Sequence, residues 1–395
     1  AVGFSTSRTI GHRSLHGAPV PGTFAPVDEL VAIAEAMGRT GKGVFELIPA
    51  GTVGKLEGLG GERFTPYEEF ELMRAVAKRG GRPVTFTLVQ SPDYDENLWR
   101  EILDLTAEAN ADGAAMHPQV SSRPIGFVTG LESYHAFQRR PTYMALAHLP
   151  VDERAREMAK PEVKAAILSE ADVPVAEAGS MANLYSLFQM AAPMMYPLTD
   201  PVNYEPTMDK TLGARMAASG REPFDVLYDF LLEDEGRSMA ALMGGKDIAE
   251  IQEVLREMLL NPHTVTGLSD AGAHVTLICD ATMPTTQLTY WVRDRKRGER
   301  LPLEFVVAKQ TAGNARLYGL RDRGVLAPGM RADVNVIDLD NLTVAPPKAH
   351  HDLPAGGTRL IQPVSGYLAT MVKGQVTRRH DADTGARPGT LVRSS

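Results

Sequence analysis

The chain has 395 residues, 43% of them hydrophobic, enough for a large core in one or two domains. Its net charge of −8 argues against nonspecific nucleic-acid binding and against a membrane surface. No apolar run reaches the roughly 18 residues of a membrane helix, "AVGFSTSRTIGHR" at the start is not a signal-peptide pattern, and the single Cys279 excludes an internal disulfide and fits a reducing cytoplasm.

The chain starts without Met, inside a strand pattern, which creates the expectation of an N-terminally truncated domain. From there strands and helices alternate. "AVGFSTS" (1–7) reads as a strand and "VDELVAIAEAMG" (27–38) as a helix. "GVFELIPA" (43–50) is a strand, followed by the helix "PYEEFELMRAVAKRG" (66–80) with Pro66 in its first turn. "PVTFTLVQ" (83–90), the helix 95–113, and "GAAMHPQV" (113–120) continue the pattern. "TVTGLSDA" (264–271) is a further strand, with helices near 285–297 and 301–312. Such alternation predicts parallel strands joined by crossover helices. The fold class expected is α/β, a partial (β/α)8 TIM barrel showing five of its eight strands.

Between residues 120 and 264 lies a long stretch of mostly helical pattern, such as "DIAEIQEVLREMLLNPH". An ordinary connection has about 2–6 residues, so residues from about 125 to 260 read as a helical insertion. Its methionines, as in "QMAAPMMYP", read as adaptable core packing or as a lid over an apolar substrate. Beyond residue 320 the texture turns to alternating strands with Pro-Gly turns. The expected division is a barrel domain over 1–320 and a β appendage with a tail over 321–395.

Catalytic groups of a barrel stand at the C-terminal ends of its strands. Asp270, in "GLSDAGAH", sits there among small residues, and no helix pattern follows that it could cap. It is the candidate catalytic residue. His274 orients it, contacts substrate, or packs in the loop. Glu46, in "GVFELIP", is a metal ligand or base, or else half of a core ion pair with an Arg such as Arg8. His117 ends a strand and is either structural or a metal ligand. His12 and His16 lie in a loop that could face the same mouth. No HxH, HExxH, GxSxG or Walker pattern occurs.

Four stretches carry a family resemblance: "AVGFSTSRTIGHR", "GLSDAGAH", "LTYWVRDRKRGERLPLEFVVAKQTAGNARLYGL" and "RDRGVLAPGMRADVNVIDLDNLTV". With their order, they make nearly the whole chain resemble the amidohydrolase superfamily, and within it the D-aminoacylase (N-acyl-D-amino-acid deacylase)-like branch. The resemblance implies a TIM barrel, part of a β-sandwich, and hydrolysis of the amide of an N-acyl amino acid assisted by zinc or another divalent metal. In it, Asp270 takes a proton from the attacking water and passes it to the leaving amine. The family's HxH and cysteine ligands would precede residue 1. Where the family has ligand histidines on its fifth and sixth strands, this chain has Glu46 on the one and only Thr85 and Thr87 on the other. Arg123, Ser121 and Ser122, in "HPQVSSRP", match the substrate-contacting stretch, with Arg123 suited to a carboxylate or else paired with an acid. Two alternatives remain: a cyclic-amide amidohydrolase, and a ligand-poor homologue or fragment that binds acyl compounds without turning them over.

Overall fold

The computed structural model describes residues 2–14, 16–244 and 247–393, so Ala1 of the first expected strand and the last two residues of the expected tail lie outside it. Four parallel strands open the chain: β1 (Gly3–Ser7), β2 (Val44–Ile48), β3 (Val84–Thr87) and β4 (Met116–Val120). Helices α1 (Val27–Thr40), α2 (Pro66–Gly80) and α3 (Leu98–Ala111) connect them. Three short strands follow, β5 (Phe127–Thr129), β6 (Met195–Pro197) and β7 (Ala240–Leu242), then β8 (Val265–Thr266). The parallel sheet runs β1-β2-β3-β4-β8. Its order never reverses, unlike that of a doubly wound sheet.

Local chemistry sets the boundaries. Thr65 caps α2 in a reciprocal capping box with Glu68, and Pro66 occupies the first helical position. Gly41 and Gly81 end α1 and α2 in the left-handed conformation that glycine adopts without strain. The outward residues of the sheet, Phe45, Leu47, Val84, Phe86, Met116 and Val120, join Leu30, Phe70, Val76 and Ile102 of the helices in the main core.

The opposite face is polar. Successive register partners Ser5, Glu46, Thr85 and His117 form one row across β1 to β4. At the start of the strands that face is closed by Leu317 and Tyr318, which pack with Val44 and Val265.

The long insertion is mainly helical, but it also holds an antiparallel sheet of order β5-β7-β6 that its helical periodicity did not announce. It has a second core, with Phe137, Met158, Phe188, Met195, Tyr228 and Leu231 buried. Met195 and Met158 are core residues, whereas Met190 stands 71% exposed, so the methionines do not form one continuous apolar surface. Past residue 320 the chain forms an antiparallel four-stranded sheet and two smaller antiparallel pairs.

One boundary differs in a way that matters for the site. The strand expected over 264–271 stops at Thr266. Leu268 turns to φ 64° and Asp270 to φ 45°, breaking the extended run.

Candidate functional site

The segment from Gly267 to His274 is a loop held in uncommon backbone geometry. Leu268, Asp270 and His274 all have positive φ, and Gly272 reaches 90°. A positive φ in a residue other than glycine typically costs about 1–3 kcal/mol and survives only where the surroundings impose it. Several contacts impose it here. Gly267 donates its N–H to Val120, anchoring the loop to β4. A Cβ at Gly267 would stand 2.4 Å from the Gln119 side-chain oxygen, so a larger residue here requires that side chain to move. Ala273 N–H bonds the Asp270 carbonyl at 2.9 Å, and Leu277 and Ile278 both donate to the His274 carbonyl.

The result is an exposed Asp270 and an exposed His274 on one turn. The His12 ring, from the loop after β1, lies 5.9 Å from the His274 ring between centroids. Burial and the nearby His274 hold the His12 pKa below its ordinary value, against the opposing pull of the Asp270 carboxylate. His12 therefore stays neutral near pH 7. Its Nδ1 is 2.7 Å from the Ser7 hydroxyl at the end of β1. Sequence reasoning gave His12 only a weak signal, as one loop histidine among several. The five-residue step from a strand-end Ser7 was the cue available.

Below this mouth is the inner row. Ser5 donates its hydroxyl to Glu46, and burial raises the Glu46 pKa while that bond opposes the rise. The expected ion pair of Glu46 with Arg8 is not formed. Arg8 is buried and places its Nε 2.9 Å from both carboxylate oxygens of Glu69 instead. His117 is half-buried, its pKa lowered by burial, and its carbonyl accepts from Thr85.

Glu46 and His117 do not come together as metal ligands. Thr85 stands between them in the row, two strand spacings of about 4.8 Å apart. Among the described residues, no three His, Cys, Asp or Glu side chains gather to hold an ion. By themselves Glu46 and His117 leave the anticipated metal site incomplete among the described residues.

Arg123 also needs correction. It is 3% exposed, with Nη1 2.7 Å from Asp280, and Nη2 donating to the Cys279 carbonyl and the Thr282 hydroxyl. Its guanidinium lies over the Tyr204 ring at 4.5 Å. An arginine so engaged is an internal tie, and its partner Asp280 drew no notice in the sequence. Ser121 and Ser122 are equally buried. The Ser122 hydroxyl donates to the Met283 carbonyl, and its own carbonyl accepts from Trp291. Arg123 and Ser122 are occupied inside the protein.

The amidohydrolase family matches residues 1–378. The chain belongs to that family. No curated protein sequence matches it. Among solved structures, a D-aminoacylase described as defining a novel subset of amidohydrolases aligns with a TM-score of 0.51 and 16% identity. That alignment covers 98% of this chain but 61% of the D-aminoacylase, so the chain spans about three fifths of its length. An N-acyl-D-glutamate deacylase from Bordetella bronchiseptica, complexed with zinc and a phosphonate inhibitor, aligns with a TM-score of 0.45 and 18% identity, covering 90% of this chain and 57% of that one. The amidohydrolase chain thus shares its α/β fold with D-aminoacylase. Among its described residues, no helix is long and apolar enough to cross a membrane.

Proposed function

We propose that this amidohydrolase family member hydrolyses linear amides, deacylating an N-acyl-D-amino acid, with Asp270 as its general base. The observation that supports this is the convergence of Asp270, His274 and His12 from two strand-end loops, above a row of polar inner-face residues. The sequential strand order supports reading residues 1–320 as five strands of a (β/α)8 barrel, with residues 321–395 as part of a β-sandwich.

Exposed Asp270 reaches water directly, takes a proton from it as the oxygen attacks the amide carbon, and returns the proton to the leaving amine. When the Ser7 hydroxyl donates to its Nδ1, neutral His12 carries its proton on Nε2 and offers that N–H to the oxyanion. His274 borders the same space. The zinc complex of the N-acyl-D-glutamate deacylase supports a divalent metal in the reaction of such proteins. The described residues of this chain assemble no three-donor site for one, so their roles are derived without it.

The test is turnover of N-acetyl-D-amino acids, measured together with bound metal, in wild type and Asp270→Asn. Asn keeps the shape and removes the base, so kcat is expected to fall about 10²–10⁴-fold with metal content unchanged. Near-normal turnover in Asp270→Asn ends the catalytic claim. Saturable binding of the acyl compound with no turnover by the wild type would instead favour the non-catalytic acyl-binding homologue.

A further inference from the structure

The chain between β1 and α1 carries His12 and contains no helix among its described residues. The main-chain bonds of His12 within this loop are long. Its N–H reaches the Thr9 carbonyl at 3.3 Å, and its carbonyl accepts from Val20 at 3.2 Å. Shorter ties come from the next loop, between β2 and α2.

That loop supplies a carboxylate. Glu62 accepts the Thr9 hydroxyl at 2.5 Å and the Ile10 N–H at 3.2 Å. The Thr9 hydroxyl oxygen in turn accepts the Gly11 N–H at 3.2 Å, so the tie reaches the residue before His12. Glu62 is itself fixed. Its N–H donates to the Lys55 carbonyl at 2.9 Å, and the Lys55 N–H donates to the Asp93 carboxylate, in the loop after β3, at 2.9 Å. A course of hydrogen bonds therefore crosses three successive strand-end loops and stops beside His12.

Arg13, on the other side of His12, acts in the same way with the opposite charge. Its Nε donates to the Ile10 carbonyl at 2.8 Å and its Nη1 to the Gly17 carbonyl at 2.9 Å, spanning its own loop. Its Nη2 donates to the Leu59 carbonyl of the β2–α2 loop at 3.4 Å. Gly179 of the insertion lies against it, where a Cβ would overlap the Arg13 side chain and the Gly17 carbonyl. Glu62 and Arg13 are both half-buried, and their hydrogen bonds among the described residues go to neutral groups. Bonds with one charged member are roughly twice as strong as neutral ones.

We propose that Glu62 and Arg13 are positioning residues for the hydrolysis described above: they lock the loop after β1 to the loop after β2 and so hold the His12 ring beside His274, at the mouth that carries Asp270. The inference rests on that reading of His12 and names the residues that set its geometry. A misplacement of about 1 Å can cost about 10²-fold in rate.

The experiment is NMR titration of the histidine rings of the intact protein, with the His12 signal assigned by its loss in His12→Gln, beside hydrolysis of N-acetyl-D-amino acids. In Glu62→Leu and in Arg13→Met the His12 pKa is expected to rise toward its ordinary value, as the ring leaves the burial and the His274 that lower it. The kcat is expected to fall about 10–100-fold, with KM changed less. Adding Arg13→Met to His12→Gln is expected to cost little more, because the effect runs through the ring. Arg82→Met is the control. Arg82 donates its Nε to the Gly43 carbonyl at 3.0 Å, at the opposite end of β2, so its loss reports general loosening. An unchanged His12 pKa in Glu62→Leu and Arg13→Met overturns the proposal, as does an equal rise in Arg82→Met or a full further loss of kcat in the His12→Gln background. If the wild type turns over no substrate, the deacylase reading fails, while a His12 shift confined to Glu62→Leu and Arg13→Met still supports the lock. Should one of these two variants not fold, the other decides by the same titration.

Discussion

At the scale of single residues, the environment of each titratable group decides its chemistry. His135 shows this most directly. Burial places its pKa near 3, while an unfolded chain leaves it at the ordinary value near 6.5. The sign of the linkage follows from proton counts. Between those two values the unfolded state binds a proton that the folded state refuses, so stability falls as pH falls. The loss starts as pH drops through about 6.5 and continues toward 3, at roughly 1.4 kcal/mol per pH unit. Urea unfolding of wild type and His135→Phe at pH 7, 6, 5 and 4 measures it. The wild-type slope over this window is expected to be steeper than that of the variant, and equal slopes would show that His135 protonates freely in the folded protein. Glu46 is moved in the opposite direction, upward by burial, with the hydrogen bond from Ser5 opposing the rise.

At the scale of elements, the Arg8–Glu69 pair joins the end of β1 to the first turns of α2 inside the main body. Both side chains are 1% exposed. Glu69 also accepts the Ala50 N–H at 3.2 Å, and Arg8 donates to the Ala25 carbonyl at 2.6 Å, so the pair ties the β1–α1 and β2–α2 connections to α2. Breaking one half leaves the other charge buried without compensation, typically a cost of about 3–5 kcal/mol. Glu69→Ala is therefore expected to lower stability by that amount in chemical denaturation, whereas Glu68→Ala, its exposed neighbour in the α2 capping box, is expected to cost much less. Similar losses in the two variants would refute the burial argument. Elements are also the level at which the sequence was most legible. Repeating apolar spacing and Pro and Gly punctuation located α1, α2, α3 and all five parallel strands. The loop after β8 was not legible, because the left-handed turn at Leu268 comes from its surroundings and a leucine gives no local sign of it. Ion pairing was illegible for a different reason. Arg8 had several acids within the same stretch of sequence, and its choice of Glu69 over Glu46 depends on which face of β2 and which face of α2 meet.

At the scale of the whole molecule, one buried polar network connects the parallel sheet, the insertion and the C-terminal strands. Arg123, just past β4, pairs with Asp280 and lies over Tyr204 of the insertion. The Tyr204 hydroxyl accepts from Gln362 at 2.8 Å, and Gln362 in turn accepts from the Thr282 hydroxyl. Gln362 follows the strand Gly357–Ile361, so its bonds tie the appendage to the segment that carries Asp280. The members lie up to 239 positions apart by their residue numbers, Arg123 to Gln362, which is why no reading of local pattern could assemble them. Burial raises the Asp280 pKa, and the Arg123 charge works against that rise. Removing the arginine alone leaves a carboxylate 3% exposed with no cation to face it. Arg123→Met is expected to lose about 3–5 kcal/mol, while the double variant Arg123→Met with Asp280→Leu recovers much of the loss, because a buried ion pair exchanged for apolar groups of similar volume is often near neutral. A double-mutant cycle from urea unfolding measures that recovery as the coupling energy. The same curves report on cooperativity. If the network holds the three parts in one folding unit, wild type unfolds in a single transition by fluorescence and by circular dichroism, and Arg123→Met separates the two probes. Coincident transitions in Arg123→Met, with stability changes that simply add in the double variant, would mean that Arg123 and Asp280 act locally and that apolar packing alone joins the insertion and the C-terminal strands to the sheet.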